Sequence, residues 1–133
     1  MKQEQFITVG DGTKIRYVKW TNQKAAKRAV LIHSLAMNDM SKWDVSSVKR
    51  MYGMFFHAAS FNRDLSKWDV SNVEQMSNMF SFATSFNGDT SKWDVSKVIN
   101  MDNMFRDATS FKQTLCGATW VDSKASQNGM FAG

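Results

Sequence analysis

The 133-residue chain contains no proline, which excludes a proline-rich linker, and one cysteine, Cys116. A single thiol cannot close an internal disulfide, so no oxidised framework holds the fold. With no His near it in sequence, Cys116 is expected to be a small buried apolar group rather than a nucleophile. There are only two histidines, His33 and His57, and G-x-S-x-G occurs nowhere. A hydrolase built on a nucleophile, a base and an orienting acid is therefore not expected. The longest apolar stretch, Ala29 to Ile32, is far too short to span a membrane. The opening MKQEQF lacks the apolar run of a signal peptide. As written the chain reads as cytosolic, and a leader removed upstream would change that expectation.

What is present is repetition. SKWDVS occurs at residues 41–46, 66–71 and 91–96, each 25 residues after the last. Extended outward, the units are 36–60, 61–85 and 86–110, followed by a degenerate unit over 111–133. A fixed period of this length marks a solenoid whose units stack on their neighbours. Within S-K-W-D-V, apolar and charged residues alternate with the strand period of two, so Trp68 and Val70 face inward and Lys67 and Asp69 outward. The second half runs Val73, Met76, Met79, Phe80, Ala83, the spacing of a helical face. Each coil is thus expected to be a short parallel strand, a bend and a short helix.

Stacking predicts internal ladders. Trp43, Trp68 and Trp93 form one, and Met51, Met76 and Met101 a second. Met54, Met79 and Met104 form a third, and Phe55, Phe80 and Phe105 a fourth. Methionine fills irregular gaps and contacts rings well, which suits a thin core. Asp39, Asp64 and Asp89, with Asn62 and Asn87, are expected to bond their own backbone in turns. Asp44, Asp69 and Asp94 sit two residues before Ser46, Ser71 and Ser96, a spacing that suits capping of the next segment. Calcium would need six to eight oxygens and a Gly-rich loop spacing that these repeats lack, so no metal and no cofactor is expected.

The pattern F-N-x-D-x-S-x-W-D-V-S-x-V-x-x-M-x-x-M-F-x-x-A over about residues 36–112 resembles the BspA-like bacterial surface-protein repeat. That repeat also occurs in mycoplasma lipoproteins and some microbial eukaryotes, and is grouped with leucine-rich repeats. The resemblance implies a leucine-rich-repeat-like, right-handed α/β solenoid with a binding role, often at a cell surface.

Residues 1–35 do not share the period. FITVGDGTKIRYVKW reads as a β-hairpin around a DG turn, and AVLIHSLAMN as a strand entering a loop. This stretch is similar to the start of α/β-hydrolases of the enol-lactonase type, where His33-Ser34-Leu35 would be the oxyanion loop. Without a nucleophile the expected role is to cap the first coil.

The net charge is +5, and residues 1–34 carry seven basic against two acidic side chains, so the rest is neutral overall. Nucleic acid is not the expected partner; a lysine-decorated end piece accounts for the excess. The expected function is protein binding or scaffolding through the outward row Lys42, Asp44, Lys67, Asp69, Lys92 and Asp94. The alternative is self-assembly, a homo-oligomer through weakly capped solenoid ends.

Overall fold

Five backbone positions with positive φ, none of them glycine, decide how the repeat is folded: His57, Asn78, Phe82, Asn103 and Asp107. They belong to a computed structural model that describes the backbone of residues 2–8, 14–20 and 40–133, with side chains from residue 40 onward except Lys42. With Gly53 and Gly129 they occur at two fixed places in each unit. A left-handed residue ends right-handed helix at once. The stretch expected to be helical is instead a succession of tight turns. Met54 N–H bonds the Met51 carbonyl at 3.2 Å across Gly53, and Ala58 N–H bonds Phe55 at 3.0 Å across His57. Positive φ at the third residue of such a turn is the type II geometry. Every third or fourth residue still points inward, which is why the apolar spacing imitates a helix.

The remaining N–H groups of this half tie one unit to the next. Those of Met51, Gly53, Phe55 and His57 donate to the carbonyls of Gln75, Ser77, Met79 and Ser81 at 2.8 to 3.0 Å. Met76, Asn78, Phe80 and Phe82 donate likewise to Asn100, Asp102, Met104 and Arg106, at 2.8 to 2.9 Å. Met101, Asn103, Phe105 and Asp107 donate to Ser126, Asn128, Met130 and Ala132. Parallel bridges link Arg50, Gln75, Asn100 and Ser126 in one line. The last step spans 26 residues rather than 25. The extra residue therefore lies ahead of Ser126, and Asp102 fastens the shifted unit, its Oδ1 accepting the Ser126 hydroxyl at 2.6 Å and the Asn128 N–H at 2.8 Å.

The S-K-W-D-V segments are not strands. Each Trp closes a turn, Trp68 N–H to the Leu65 carbonyl at 3.0 Å and Trp93 N–H to Thr90 at 3.1 Å. A second turn follows at once, Val73 to Val70 and Val98 to Val95. Two turns within nine residues leave no room for a ladder; the alternation reflects only which side chains face in. Among residues 40–133 the helical elements are a 3-10 turn, Met40–Lys42, and α1, Ala118–Val121.

The core is built from columns. Phe55, Phe80, Phe105 and Phe131 stack at centroid distances of 5.3, 5.5 and 5.6 Å. A second column, Phe61, Phe86 and Phe111, interleaves with it at 3.9 to 4.0 Å, each ring opening the unit after that of its partner. Met51, Met76, Met101, Met54, Met79 and Met104 are all buried. Trp68, Trp93 and Trp120 are buried and Trp43 is half-buried, 6.4 Å from Trp68. Each buried indole N–H reaches back one unit: Trp68 to the Met40 carbonyl at 2.8 Å, Trp93 to Leu65 at 3.0 Å, Trp120 to Thr90 at 3.0 Å. This cross-bond is a reason for Trp at a position where Phe would supply only area.

Near the amino terminus β1 (Lys2–Thr8) pairs antiparallel with β2 (Lys14–Trp20), Ile7 opposite Ile15. The Asp11-Gly12 turn, the Ala29–Ile32 strand, the His33-Ser34-Leu35 loop and Asp39 lie outside the described residues.

Candidate binding surfaces

The Lys and Asp row divides according to chemistry. Asp44, Asp69 and Asp94 are exposed, and each accepts the N–H of the serine two residues on, at 3.0, 3.1 and 3.0 Å. Asp64 and Asp89 do the same for Ser66 and Ser91, both at 2.9 Å. These are Asx-turns, in which a short carboxylate replaces a backbone acceptor. They cap a turn rather than a helix. The serine hydroxyls and amides hold the carboxyls of Asp69, Asp89 and Asp94 below the usual aspartate range. The asparagines differ. Asn62 accepts the Asn87 N–H at 3.0 Å and Asn87 the Lys112 N–H at 2.9 Å, so they join units instead of bonding their own turn.

Lys67 and Lys92 are exposed. Neither forms a salt bridge among the described residues, where the two ion pairs are Lys49–Glu74 at 3.2 Å and Arg106–Asp107 at 3.3 Å. Among the described residues no salt bridge joins Asp69 to Lys67 or Asp94 to Lys92, and each carboxylate instead accepts from its serine. Lys42 holds the matching place in the first unit by register; its side chain lies outside the described residues.

Cys116 is exposed, contrary to expectation. Among the described residues no three His, Cys, Asp or Glu side chains converge as a metal would require. No helix there is long and apolar enough to cross a membrane.

A second surface went unnoticed in the sequence. Tyr52 is 67% exposed and Phe56 39% exposed, on the turn half of the first coil. His57 stacks on Phe82 at 4.5 Å with planes 3° apart, and the Arg106 guanidinium lies 5.9 Å from the centre of the same Phe82 ring. Phe56 meets His57 and Phe82 edge-on. These residues occupy places where the three units disagree: Tyr52, Ser77, Asp102; Phe56, Ser81, Arg106; His57, Phe82, Asp107. That disagreement beside strict repetition is the signal that could have found them.

The family model described as "Mycoplasma protein of unknown function, DUF285" matches residues 23–133. The match begins 13 residues ahead of the first unit, which starts at residue 36. No curated protein and no solved structure matches the chain.

Proposed function

The chain belongs to the DUF285 family, and from that premise we propose that it is a non-catalytic binding or scaffold module, a leucine-rich-repeat-like solenoid that captures a protein partner. The observation that carries the reading is the state of the lysines. The carboxylates of the row are committed to Asx-turns, whereas Lys67 and Lys92 stand exposed without a salt bridge, one per coil. Coils joined by a backbone ladder repeat about every 4.8 Å. A row of ammonium groups on that rise fits a partner with a row of acidic groups, and its contribution is screened by salt.

The test is capture with the full chain as bait, in parallel with a Lys42→Glu, Lys67→Glu, Lys92→Glu variant. A partner whose recovery falls at least tenfold supports the row as the contact. Equal recovery removes it. Turnover of activated esters by the purified chain, abolished by a His33→Ala change, would overturn the non-catalytic reading.

Self-assembly is the second reading, supported by the exposed Phe131 at 59% and Val121 at 69% on the last coil. Light scattering showing a strict monomer at high concentration would end it.

A further inference from the structure

The turn-half bonds from Met51 to Ala132 all run one way. Alternate N–H groups of each coil donate forward, and alternate carbonyls accept from the coil before. The two edges of this ladder are therefore unlike. On the last coil the equivalent donors are the N–H groups of Gln127, Gly129, Phe131 and Gly133, and none has an acceptor among the described residues. On the first coil the equivalent acceptors are the carbonyls of Arg50, Tyr52, Met54 and Phe56, and none has a donor among the described residues. Backbone groups of both kinds seek partners.

Neither edge carries the devices that keep an open edge from pairing. Residues 125–133 and 51–56 contain no Lys, Arg, Asp or Glu, and the chain contains no proline. Gln127, Gly129, Phe131 and Gly133 are exposed, as are Arg50, Tyr52 and Phe56. Burial of Met51 does not close the first edge, since Met130 is only 4% exposed on a coil whose donors are open. Phe131 is 59% exposed, and its ring neighbours stand at 5.6 and 6.5 Å, against the 3.9 to 4.0 Å of the interleaved pairs inside the stack.

We propose that the last coil docks the first coil of a second copy of this chain, so that copies join head to tail and one backbone ladder runs through the joint. The register is that of the interior. Gln127, Gly129, Phe131 and Gly133 donate to the carbonyls of Arg50, Tyr52, Met54 and Phe56 in the second copy, as Met76, Asn78, Phe80 and Phe82 donate to the third coil. Polarity selects this occupant. Two last coils face to face would set donors against donors, and two first coils acceptors against acceptors, so neither pair continues the ladder. The joint is heterologous, and repeated translation along the stack adds copies without closing. The inference rests on the self-assembly reading and specifies which ends meet.

The probe is the full chain in sedimentation velocity over a wide range of concentration. Its mass is expected to rise with concentration past the dimer. Gln127→Pro removes a donor that the single chain leaves unpaired, and is expected to weaken association at least tenfold at an unchanged melting temperature. If it lowers the melting temperature, Gln127→Lys with Ala132→Lys decides, since it charges the same edge through exposed side chains. Tyr52→Lys with Phe56→Lys charges the first coil. Each variant alone is expected to stay monomeric where the parent chain grows. A mixture of a last-coil and a first-coil variant is expected to form pairs and nothing larger, since one intact donor edge then meets one intact acceptor edge. Variants that fail to pair on mixing, or unchanged association in both last-coil variants, overturn the proposal. A parent chain that stops at a dimer, with the first-coil variant dimerising by itself, shows a symmetric contact; it overturns the head-to-tail joint and leaves self-assembly standing. A strict monomer at every concentration ends both.

Discussion

Replacing Trp93 by Phe isolates the bond that each indole makes to the unit before it. Trp93 is 2% exposed, and its Nε1–H reaches the Leu65 carbonyl at 3.0 Å. That carbonyl also accepts the Trp68 N–H at 3.0 Å. Phenylalanine therefore leaves it singly bonded rather than orphaned, and the loss is the net value of one hydrogen bond, about 1 kcal/mol. The smaller ring opens about 40 Å³, which at about 24 cal/mol per Å³ adds about 1 kcal/mol. The sum, roughly 2 kcal/mol, should appear in urea unfolding followed by far-UV circular dichroism, with the slope unchanged. Trp43 is half-buried, and no acceptor for its indole is found among the described residues, so Trp43→Phe should cost clearly less. If both substitutions cost the same, or Trp93→Phe costs under about 0.5 kcal/mol, the indole cross-bond contributes nothing and the argument for Trp over Phe fails.

The left-handed positions make a paired prediction. Asn78 has φ 56°, so Asn78→Ala should destabilise by about 1 kcal/mol while Asn78→Gly stays near neutral, as read by melting temperature. Gly129 has φ 62°, and an added Cβ would lie 2.6 Å from Asn103 Oδ1, so Gly129→Ala should loosen the last coil and raise amide exchange at Asn103 and Phe105. Acid titration follows the carboxyls. Those of Asp69, Asp89, Asp94 and Asp102 lie below the ordinary value, so the folded state holds fewer protons than the unfolded chain. Their stabilisation is complete above about pH 4 and is lost as pH falls through the lowered folded-state values. Unfolding by acid should therefore begin only below about pH 4, and Asp94→Asn should flatten that slope while costing little at neutral pH, since its amide oxygen can still accept from Ser96. Loss of stability between pH 7 and 5 would contradict this account.

The 25-residue period and the identity of the buried side chains of the ladders were present in the letters. From the first unit to the third every Met and Phe in the ladders recurs at 25 residues, and stacking equal units brings equal residues together. The local path was not legible, because apolar spacings of three and four serve a helix and a run of type II turns equally well. Only the backbone at Asn78, Phe82 and their equivalents separates the two. Alternation in S-K-W-D-V misled in the same way, since two consecutive turns around Asp and Ser present side chains to alternate sides without any ladder.

The surfaces divide along the same line. A repeated Lys-x-Asp was visible in the sequence, but its two members have different fates. The carboxylates of Asp69 and Asp94 accept from the serine amide two residues on, while Lys67 and Lys92 form no salt bridge among the described residues. The strip of Tyr52, Phe56, His57, Phe82 and Arg106 draws its members from three units, and only stacking brings Arg106 over the ring of Phe82. Sequence alone determined the repeat and its core, because burial is a property of residue type taken with period. Tertiary structure decided the turns and the neighbours across coils, because those rest on backbone angles and on groups about 25 residues apart that meet only when the units stack.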